Sequence, residues 1–473
     1  MNKIWDLNYD NQVAILADNG EELTYKDLKE ESLKIANTIG ERCLVFSLCR
    51  NEIGSILGYV AFINNGIVPV MLNSHLDCDL LNNLIREYNP TYIWAPKEQE
   101  VQFVGFKNVY ESYTYCLLKN DNNRRYALFD DLALLLTTSG STGSPKFVRQ
   151  SYTNVVSNAK SICNYLQLNS SEKAITTLPM NYTYGLSIIN SHLMVGATIL
   201  VTERTLMQKE FWAFFKENEA TSFGGVPYTY EILDKLRFYR MQLPSLRYMT
   251  QAGGKILPAL HEKFAIYAKD NNKKFIVMYG QCEATARMGY LPAEKSLEKK
   301  GSMGIAIPGG KFSLIDASGK EIKDAFVTGE LVYEGPNVTL GYAEKGDDLI
   351  KGDERLGRLE TGDMAQFDEE GYYYIVGRKK RFLKIYGNRV NLDEIDRLIK
   401  EEFAIEVASS GIDDQMYIFV TDKDKVEEIR NFVISKTKLN PSAFKAIVIN
   451  EIPKNDSGKI LYKELSKYYE SKD

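Results

Sequence analysis

A tract of glycine and hydroxyl residues that ends in a lysine is the first feature of this sequence that suggests chemistry. It follows the apolar run LALLLTT and reads TTSGSTGSPK, with the lysine at position 146. A strand that ends in such residues can turn its backbone N–H groups inward as an anion nest, and the hydroxyls and Lys146 add donors. The spacing differs from the Walker phosphate loop, because the lysine follows Gly143 by three positions. The tract indicates a phosphate-binding loop, with a flexible Ser/Gly linker as the alternative.

Apolar runs that alternate with amphipathic stretches must position this loop. The segment YKDLKEESLKIANTI has helical spacing behind a Thr24 cap. The predicted buried strands read CLVFSL, LALLLTT, AITTLP, ATILVT, TSFGGV, LRYMTQ and FIVMYG. This alternation predicts mostly parallel sheets with helices on both faces, in which ligands bind beyond the carboxyl ends of the strands.

The pattern changes after about residue 300, where short segments with Gly and Pro turns predict an antiparallel or barrel-like part. A helix is expected after Asn391, which forms a capping pair with Glu394. Its apolar face consists of Leu392, Ile395, Leu398, Ile399 and Phe403. We place a domain boundary at the charged run 378–381. The sequence thus predicts an α/β fold with a large domain over 1–377 and a small, mobile α+β domain over 378–473.

Composition argues against several classes of protein. The 473 residues carry a net charge of -5, with 58 Lys+Arg against 63 Asp+Glu, which argues against a general nucleic-acid binder. Six cysteines without a CxxC pair or metal spacing indicate a reduced, cytoplasmic chain. The longest apolar stretch is interrupted by Asn64 and Pro69, so no membrane span is expected. Three unpaired histidines disfavour histidine triads and zinc sites.

Six segments in a fixed order give the sequence a specific resemblance. They are TSGSTGSPK, PMNYTYGLSIINSHLMVGAT, YGQCEA, GELVYEGPNVTLGY, ETGDMAQFDEEGYYYIVGRKKRFLKIYGNRVNLDEID and PKNDSGKILYKEL. Together they resemble the adenylate-forming superfamily of acyl-CoA synthetases, peptide-synthetase adenylation domains and firefly-type luciferases. The resemblance implies that a carboxylate attacks the α-phosphate of ATP to give an acyl-adenylate and pyrophosphate. A thiol then displaces AMP.

The resemblance also implies roles for individual residues. The β- and γ-phosphates would be bound by Thr138, Ser139, Gly140, Ser141, Thr142, Gly143 and Lys146. The rest of the nucleotide would lie near Gly253, Gly254, Tyr279, Gly280 and Cys282. Glu283 would hold Mg²⁺, Asp363 would accept both ribose hydroxyls, and Arg378 would reach the ribose or a phosphate. Taken singly, such residues are more often ordinary loop or core side chains, so the roles depend on their joint presence.

Three C-terminal positions are expected to serve the change between the two steps. Lys459 would bridge the attacking carboxylate and the α-phosphate, and Lys380 would be the hinge about which the small domain rotates. Gly387 would line the passage for the pantetheine arm, with a plain turn glycine as the alternative.

Four residues depart from the family pattern and bear on the substrate. Phe147 stands in place of a glycine, Cys282 of a threonine, Tyr182 of a histidine and Tyr462 of an arginine. The thiol of Cys282 is a weaker donor than a hydroxyl. A neutral pocket for a small or medium acid would be outlined by Tyr182, Tyr184, Tyr228, Tyr230 and Ala252. The alternative is chance, because the chain contains 30 tyrosines.

We therefore expect an AMP-forming acid–thiol ligase that uses ATP, Mg²⁺ and a carboxylic acid. Leu392 stands where many CoA ligases have Pro, so CoA and the phosphopantetheine of an acyl carrier protein both stay open as acceptors. An amino-acid-activating ligase is an alternative within the class, although no Asp lies near NYTYG to pair with an α-amino group. A nucleotide-binding protein without turnover is the alternative in a different class, motivated by Cys282 and Phe147.

Overall fold

The computed structural model describes residues 3–121, 125–137, 146–379, 381–454 and 460–469. The strands, numbered in chain order, are β1 Val13–Ala17, β2 Glu22–Thr24, β3 Leu44–Cys49, β4 Val68–Asn73, β5 Tyr92–Pro96, β6 Phe106–Ser112, β7 Tyr115–Asn120, β8 Leu132–Thr137, β9 Phe147–Ser151, β10 Lys173–Ile175, β11 Thr198–Val201, β12 Ser222–Gly225, β13 Tyr248–Gln251, β14 Lys274–Tyr279, β15 Gly289–Tyr290, β16 Ile305–Ala306, β17 Lys311–Ile315, β18 Glu321–Ile322, β19 Gly329–Glu334, β20 Gly341–Ala343, β21 Arg358–Phe367, β22 Tyr373–Arg378, β23 Phe382–Ile385, β24 Asn388–Asn391, β25 Val407–Ile412, β26 Gln415–Val420 and β27 Phe444–Val448. The α-helices are α1 Tyr25–Ile39, α2 Ile53–Asn64, α3 Cys78–Tyr88, α4 Tyr152–Leu166, α5 Thr183–Met194, α6 Lys209–Glu217, α7 Pro227–Lys235, α8 Pro258–Asp270, α9 Leu392–Phe403, α10 Val426–Thr437 and α11 Tyr462–Ser466.

Two large sheets form the first part of the chain. One has nine strands in the order β16-β15-β14-β13-β12-β10-β11-β1-β2 and is parallel from β14 to β1. The other has eight strands in the order β20-β9-β8-β4-β3-β5-β7-β6, parallel from β8 to β5. The predicted parallel arrangement is confirmed at the centre of each sheet. Antiparallel strands at the edges come from hairpins that the alternation of the sequence did not indicate.

Helices α2 and α5 are buried along most of their length and share one hydrophobic cluster with the inward faces of α1 and α4. Helix α1 begins where the sequence predicts, because the Thr24 hydroxyl accepts the N–H of Asp27 at 3.1 Å. It ends at Gly40, whose φ of 74° is a left-handed conformation that suits glycine. The predicted cap and helix are therefore confirmed.

An antiparallel five-stranded sheet in the order β18-β17-β19-β21-β22 follows the two large sheets. The remaining residues form the hairpin β23–β24 and the sheet β25-β26-β27, against which α9 and α10 pack. Helix α9 begins behind Asn391, whose side chain accepts the N–H groups of Asp393 and Glu394. The main hydrophobic cluster of this region contains only residues from 383 onward. Within the described residues, no helix combines the length and apolar character that a bilayer crossing requires.

Candidate active site

A buried carboxylate lies where the nine-stranded and five-stranded sheets meet. Asp363 on β21 accepts hydrogen bonds from the Tyr279 hydroxyl at 2.5 Å and from Nε2 of Gln281 at 3.0 Å. Its other oxygen lies 3.5 Å from Nε of Arg378, the residue opposite it on β22. Three of the residues that the sequence assigned to the nucleotide are thus in direct contact.

Opposing effects act on the pKa of this carboxylate. Burial raises the pKa of Asp363 above its ordinary value, although the Arg378 charge and the bonds from Tyr279 and Gln281 oppose that shift. Burial and the adjacent Asp363 also raise the pKa of Tyr279, so its hydroxyl keeps its proton and donates. A carboxylate has about four lone-pair positions, which leaves room for further hydroxyl donors.

Lys146 and Glu283 form a second cluster around Tyr342 on β20. The Lys146 Nζ lies 3.9 Å from the centre of the Tyr342 ring, and the Tyr342 hydroxyl donates to Oε1 of Glu283 at 2.7 Å. The guanidinium of Arg355 also lies over this ring, at 4.7 Å, and donates to the Glu283 carbonyl oxygen at 3.0 Å. Burial, followed by the Glu283 carboxylate, raises the pKa of Tyr342 to about 12. A cation and a carboxylate are therefore held beside the same neutral ring.

The five residues YGQCE connect the two clusters. Tyr279 and Gln281 bind Asp363, whereas Glu283 binds Tyr342. The segment thus spans from the predicted ribose carboxylate to the predicted phosphate lysine. Its conformation is tight, because a Cβ at Gly280 would lie 1.6 Å from the Ala286 carbonyl oxygen, which excludes any larger residue there.

The predicted phosphate loop lies between two paired strands. Thr137 at the end of β8 pairs with Phe147 at the start of β9, so residues 138–146 connect neighbours in one sheet. The pairing of the flanking strands argues against a Ser/Gly linker that joins separate units of the chain. Lys146 is the only member of the predicted phosphate-binding set within the described residues; Thr138, Ser139, Gly140, Ser141, Thr142 and Gly143 lie outside them.

Phe147, which departs from the family pattern, is part of the hydrophobic core. Its ring centre lies 4.9 Å from that of Tyr88 in an edge contact, and it packs with Leu340 and Ala343. The aromatic side chain therefore anchors the exit of the loop to the eight-stranded sheet. Cys282, the other departure near the nucleotide, is buried; burial raises the pKa of Tyr182, and the nearby Cys282 adds to that shift.

Tyr182 and Tyr184, both assigned to the acyl pocket, lie on either side of Thr183, where α5 begins. A Cβ at Gly253 would lie 2.7 Å from the Tyr182 hydroxyl oxygen, which shows how closely this ring approaches that glycine. The Tyr184 hydroxyl lies 2.7 Å from Oγ1 of Thr250. Buried Ala252 packs in the same cluster as Tyr184.

The remaining residues assigned to this region lie elsewhere or face solvent. Gly254 lies against the ring of Pro227. Tyr228 is exposed, and the Lys454 Nζ lies 5.2 Å from the centre of its ring. Tyr230 is fully buried among the rings of Phe223, Phe264 and Phe275, and its hydroxyl donates to the Thr250 carbonyl oxygen at 2.7 Å, so its assignment to the pocket stays a prediction.

The proposed hinge lies between residues with different attachments. Lys379 bonds Glu330 on β19 at 2.6 Å, whereas Arg381 bonds Asp393 at 2.8 Å and Asp396 at 2.9 Å, both on α9. The two residues that flank position 380 therefore belong to different contact networks. Lys380 itself lies outside the described residues.

The C-terminal tail folds back onto Arg381. The ring of Tyr462, which replaces a family arginine, lies 3.7 Å from the Arg381 guanidinium carbon. Lys459 lies outside the described residues, but Lys454 and Ile460 on either side pair as a β-bridge. Because Lys454 contacts Tyr228, the segment that carries Lys459 begins and ends on the side of the molecule where the acyl pocket is expected.

Gly387 lies in the exposed turn between β23 and β24 with a φ of 82°. A Cβ there would meet no described atom within 4 Å. In this arrangement the glycine does not contact the clusters around Asp363 and Tyr342. A part in thioester formation would require this region to move.

Several residues of the site were missed by sequence reasoning. Gln281, Tyr342 and Arg355 carry bonds that connect the clusters, although the first two lie inside quoted motifs. Arg287, four positions after Glu283, is buried against Tyr184 and was also missed. Their positions inside or shortly after the YGQCE and GPNVTLGY segments are the only signal that could have drawn attention to them.

Comparison with known proteins identifies relatives along the whole chain. A family model described as "AMP-binding enzyme" matches residues 5–343. A 2-succinylbenzoate–CoA ligase of Geobacillus sp. (strain WCH70) is 27% identical over 480 residues, covering 96% of this chain and 94% of the relative. A 4-hydroxybutyrate–CoA ligase of Metallosphaera sedula is 30% identical over 365 residues, covering 72% of this chain and 63% of the relative.

A solved structure supports the fold. The o-succinylbenzoate CoA synthetase of Bacillus subtilis, in complex with its acyl-adenylate intermediate, matches with a TM-score of 0.78. The match covers 97% of this chain and 96% of that chain at 20% sequence identity. The α/β architecture predicted from the sequence is thereby confirmed.

Proposed function

The chain belongs to the AMP-binding enzyme family, and from that premise we propose that it is an AMP-forming acid–thiol ligase. An oxygen of a carboxylate attacks the α-phosphorus of ATP, and the bond from that phosphorus to pyrophosphate breaks. The thiol of CoA then attacks the acyl carbon of the adenylate, and AMP leaves. The product is an acyl thioester. Relatives along most of the chain carry the name of CoA ligases, which supports this acceptor.

The observation that carries the proposal is the span of the YGQCE segment. Asp363 at one end is a buried acceptor suited to ribose hydroxyls, and Lys146 with Glu283 at the other end suits phosphate with its metal. ATP has the same order of groups, with a sugar at one end of its phosphate chain. In this proposal Tyr279 contacts adenine, and Lys146 contacts the β- and γ-phosphates.

Glu283 would hold Mg²⁺, which lowers the cost of the charge that gathers on the phosphates. Proteins usually bind Mg²⁺ through one or two carboxylates together with substrate phosphates. A single carboxylate beside a phosphate lysine fits that donor set.

We further propose that residues 1–377 and 378–473 are two domains and that Lys380 is the hinge between them. Separate contacts of Lys379 and Arg381 support the position of this boundary. In the adenylation arrangement, Lys459 would approach the α-phosphate, and Arg378 would reach the ribose. Rotation about the hinge would then bring Gly387 to the site for thioester formation.

Three alternatives make different predictions. A carrier protein would replace CoA if the enzyme loads phosphopantetheine, and an amino acid would be the substrate of an amino-acid-activating ligase. A binding protein without turnover would take ATP and release no pyrophosphate. The presence of Lys146, Glu283, Asp363 and Arg378 at the site argues against the last function.

Acid-dependent pyrophosphate exchange tests the proposal, with aliphatic, aromatic, hydroxy and amino acids as candidates. Thioester formation is then measured with CoA and with a carrier protein. ATP binding without exchange for any acid would contradict the proposal. An amino acid that alone drives exchange, or a carrier protein that alone is acylated, would favour the corresponding alternative.

Replacing Lys459 with Ala tests the proposed catalytic lysine. We expect adenylation to fall by about 10²- to 10³-fold, because one positioned charge donor at the transition state is lost. Lys423→Ala, an exposed lysine in the same region, is the matched control and should exchange at the wild-type rate. Equal exchange rates for the two variants would remove Lys459 from the mechanism.

A further inference from the structure

Arg287 is a buried cation without a counter-charge among the residues that the structure describes. Its side chain is 3% exposed, and within the described residues no carboxylate lies in ion-pair distance of it. A guanidinium remains charged in proteins. A buried charge is expensive unless an opposite charge or a metal compensates it. The position therefore needs a partner that the described protein does not supply.

The hydrogen-bond partners of Arg287 are neutral groups. Its Nε donates to Oγ of Ser187 at 3.1 Å, and Nη1 donates to the Tyr165 hydroxyl at 3.0 Å and contacts Sδ of Met278 at 3.3 Å. The guanidinium also lies 5.2 Å from the centre of the Tyr184 ring. These contacts fix the orientation of the side chain but leave its charge uncompensated.

The titratable neighbours of Arg287 do not supply negative charge at neutral pH. Burial raises the pKa of Tyr184 to about 12, and it raises the pKa of Tyr165 as well, so both phenols stay protonated. Burial lowers the pKa of His192 to about 4, and the charge of Arg287 adds to that shift. His192 is therefore a neutral ring bonded to the hydroxyl of Tyr248 at 2.9 Å.

A strained turn directs Arg287 inward. Thr285 has a φ of 57° and Ala286 a φ of 108°, and the latter is rare for a residue with a Cβ. Such strain persists where the surrounding structure imposes it, often at functional sites. The turn places the buried cation on the same loop as Glu283, the proposed metal carboxylate.

Arg287 contacts residues on the helix that carries the proposed acyl pocket. Its partners Ser187 and Tyr184 belong to α5, which begins directly after Tyr182. Tyr184 also bonds Thr250, two residues before Ala252. An acid that enters between these residues would bring its far end toward the guanidinium.

We propose that the acid activated here carries a second anionic group, in the simplest case a second carboxylate, and that Arg287 binds it. This inference rests on the proposed ligase function and specifies its substrate class. A carboxylate would supply the missing counter-charge and match the planar guanidinium through charge-assisted hydrogen bonds. The relatives do not decide the matter, since the name of one contains an acid with two carboxyl groups and that of the other an acid with one.

Matched acid pairs test the inference with the wild-type enzyme. Each pair has the same carbon skeleton, with a methyl group in the monoacid where the diacid has its second carboxyl: succinate with butyrate, glutarate with pentanoate, adipate with hexanoate, and phthalate with 2-methylbenzoate. We expect kcat/KM for pyrophosphate exchange to favour the diacid of the accepted pair by about 10- to 100-fold. Equal or better use of the monocarboxylic acids would overturn this inference and leave the ligase function standing. If none of these acids supports pyrophosphate exchange, both the diacid inference and the ligase function are overturned.

The variants Arg287→Gln and Arg287→Lys test whether this residue makes the distinction. We expect the diacid-to-monoacid ratio to approach one in Arg287→Gln and to be partly restored in Arg287→Lys. Arg240→Gln, an exposed arginine outside the site, should keep the wild-type ratio. ATP binding by each variant shows whether it is folded. A full wild-type ratio in folded Arg287→Gln would overturn the assignment, and if that variant does not fold, the wild-type acid pairs remain decisive.

Discussion

Two buried arginines of this molecule differ in how their charge is balanced. Arg381, next to the proposed hinge, bonds two aspartates of α9 and the carbonyl oxygen of Ser409 at 2.6 Å. Arg287, beside the proposed acyl pocket, bonds only neutral groups in the part of the chain that the structure describes. Protein carboxylates complete the first site, whereas the second is complete only when an anion binds. The first arrangement serves stability, and the second suits recognition of a ligand.

The largest effect expected from this difference is the loss of stability on replacing Arg381. Arg381→Met would leave buried Asp396 without its cation. Removing one partner from a buried ion pair costs about 3–5 kcal/mol. Urea unfolding, combined with hydrogen exchange of α9, would measure the loss in the C-terminal region. Lys423→Met is an exposed control, and a loss as small as that of the control would contradict a structural role for the pair.

A smaller effect is expected from the pH dependence of Asp396. Burial raises the pKa of Asp396 to about 6, although the Arg381 charge opposes the shift. The folded state therefore holds the Asp396 proton more tightly than the unfolded state does. The resulting contribution of Asp396 to the free energy of unfolding is fully present below the unfolded pKa near 4. It is lost as pH rises through about 6, which corresponds to roughly 2–3 kcal/mol.

The measurement is a series of urea midpoints between pH 4 and pH 7.5 for the wild type and Asp396→Asn. Other carboxylates titrate in both proteins, so the difference between the curves isolates Asp396. We expect the variant to lose less stability than the wild type as pH rises across this range. Parallel curves would show that the pKa of Asp396 is not raised. In Arg381→Met the same carboxyl should titrate at a still higher pH.

The burial of these two arginines could not be predicted from the sequence, for a physical reason. A run of charges usually marks a solvated surface, and 378–381 was interpreted as a boundary with few core residues. Arg381 is buried because Asp393 and Asp396 lie 12 and 15 positions further on, where helix α9 brings them to it. Arg287 is buried through contacts with α4 and α5, more than 90 positions earlier in the chain. Local patterns do not contain such distant contacts.

Other features were predictable because their signals are local. The Thr24 and Asn391 caps each depend on residues within three positions, and both are confirmed. Strand β14 was evident from its apolar run, and the motifs placed Tyr279 and Asp363 near one nucleotide. Their direct bond, and the way in which Tyr342 gathers Lys146 and Glu283, depend on how separate sheets meet. That arrangement is set by the packing of whole elements.

The smallest effect is expected from removing the Arg287 charge in the absence of substrate. Arg287→Met replaces the guanidinium with an apolar side chain and leaves no carboxylate unpaired. Both hydroxyls that bond it keep an acceptor, because Ser187 donates to the Tyr184 carbonyl oxygen at 2.7 Å and Tyr165 donates to Sδ of Met278 at 3.1 Å. Since burying apolar groups in place of an uncompensated charge is neutral or stabilising, we expect the free energy of unfolding to change by less than about 1 kcal/mol, or to increase.

Urea unfolding of this variant beside Arg381→Met makes the comparison direct. A loss for Arg287→Met as large as that for Arg381→Met would mean that the protein itself provides a counter-charge for Arg287. Adding saturating diacid should separate the wild type from Arg287→Met. A ligand at 100 times its Kd stabilises the folded wild type by about 2.7 kcal/mol. The variant no longer binds the diacid, so its free energy of unfolding should not change.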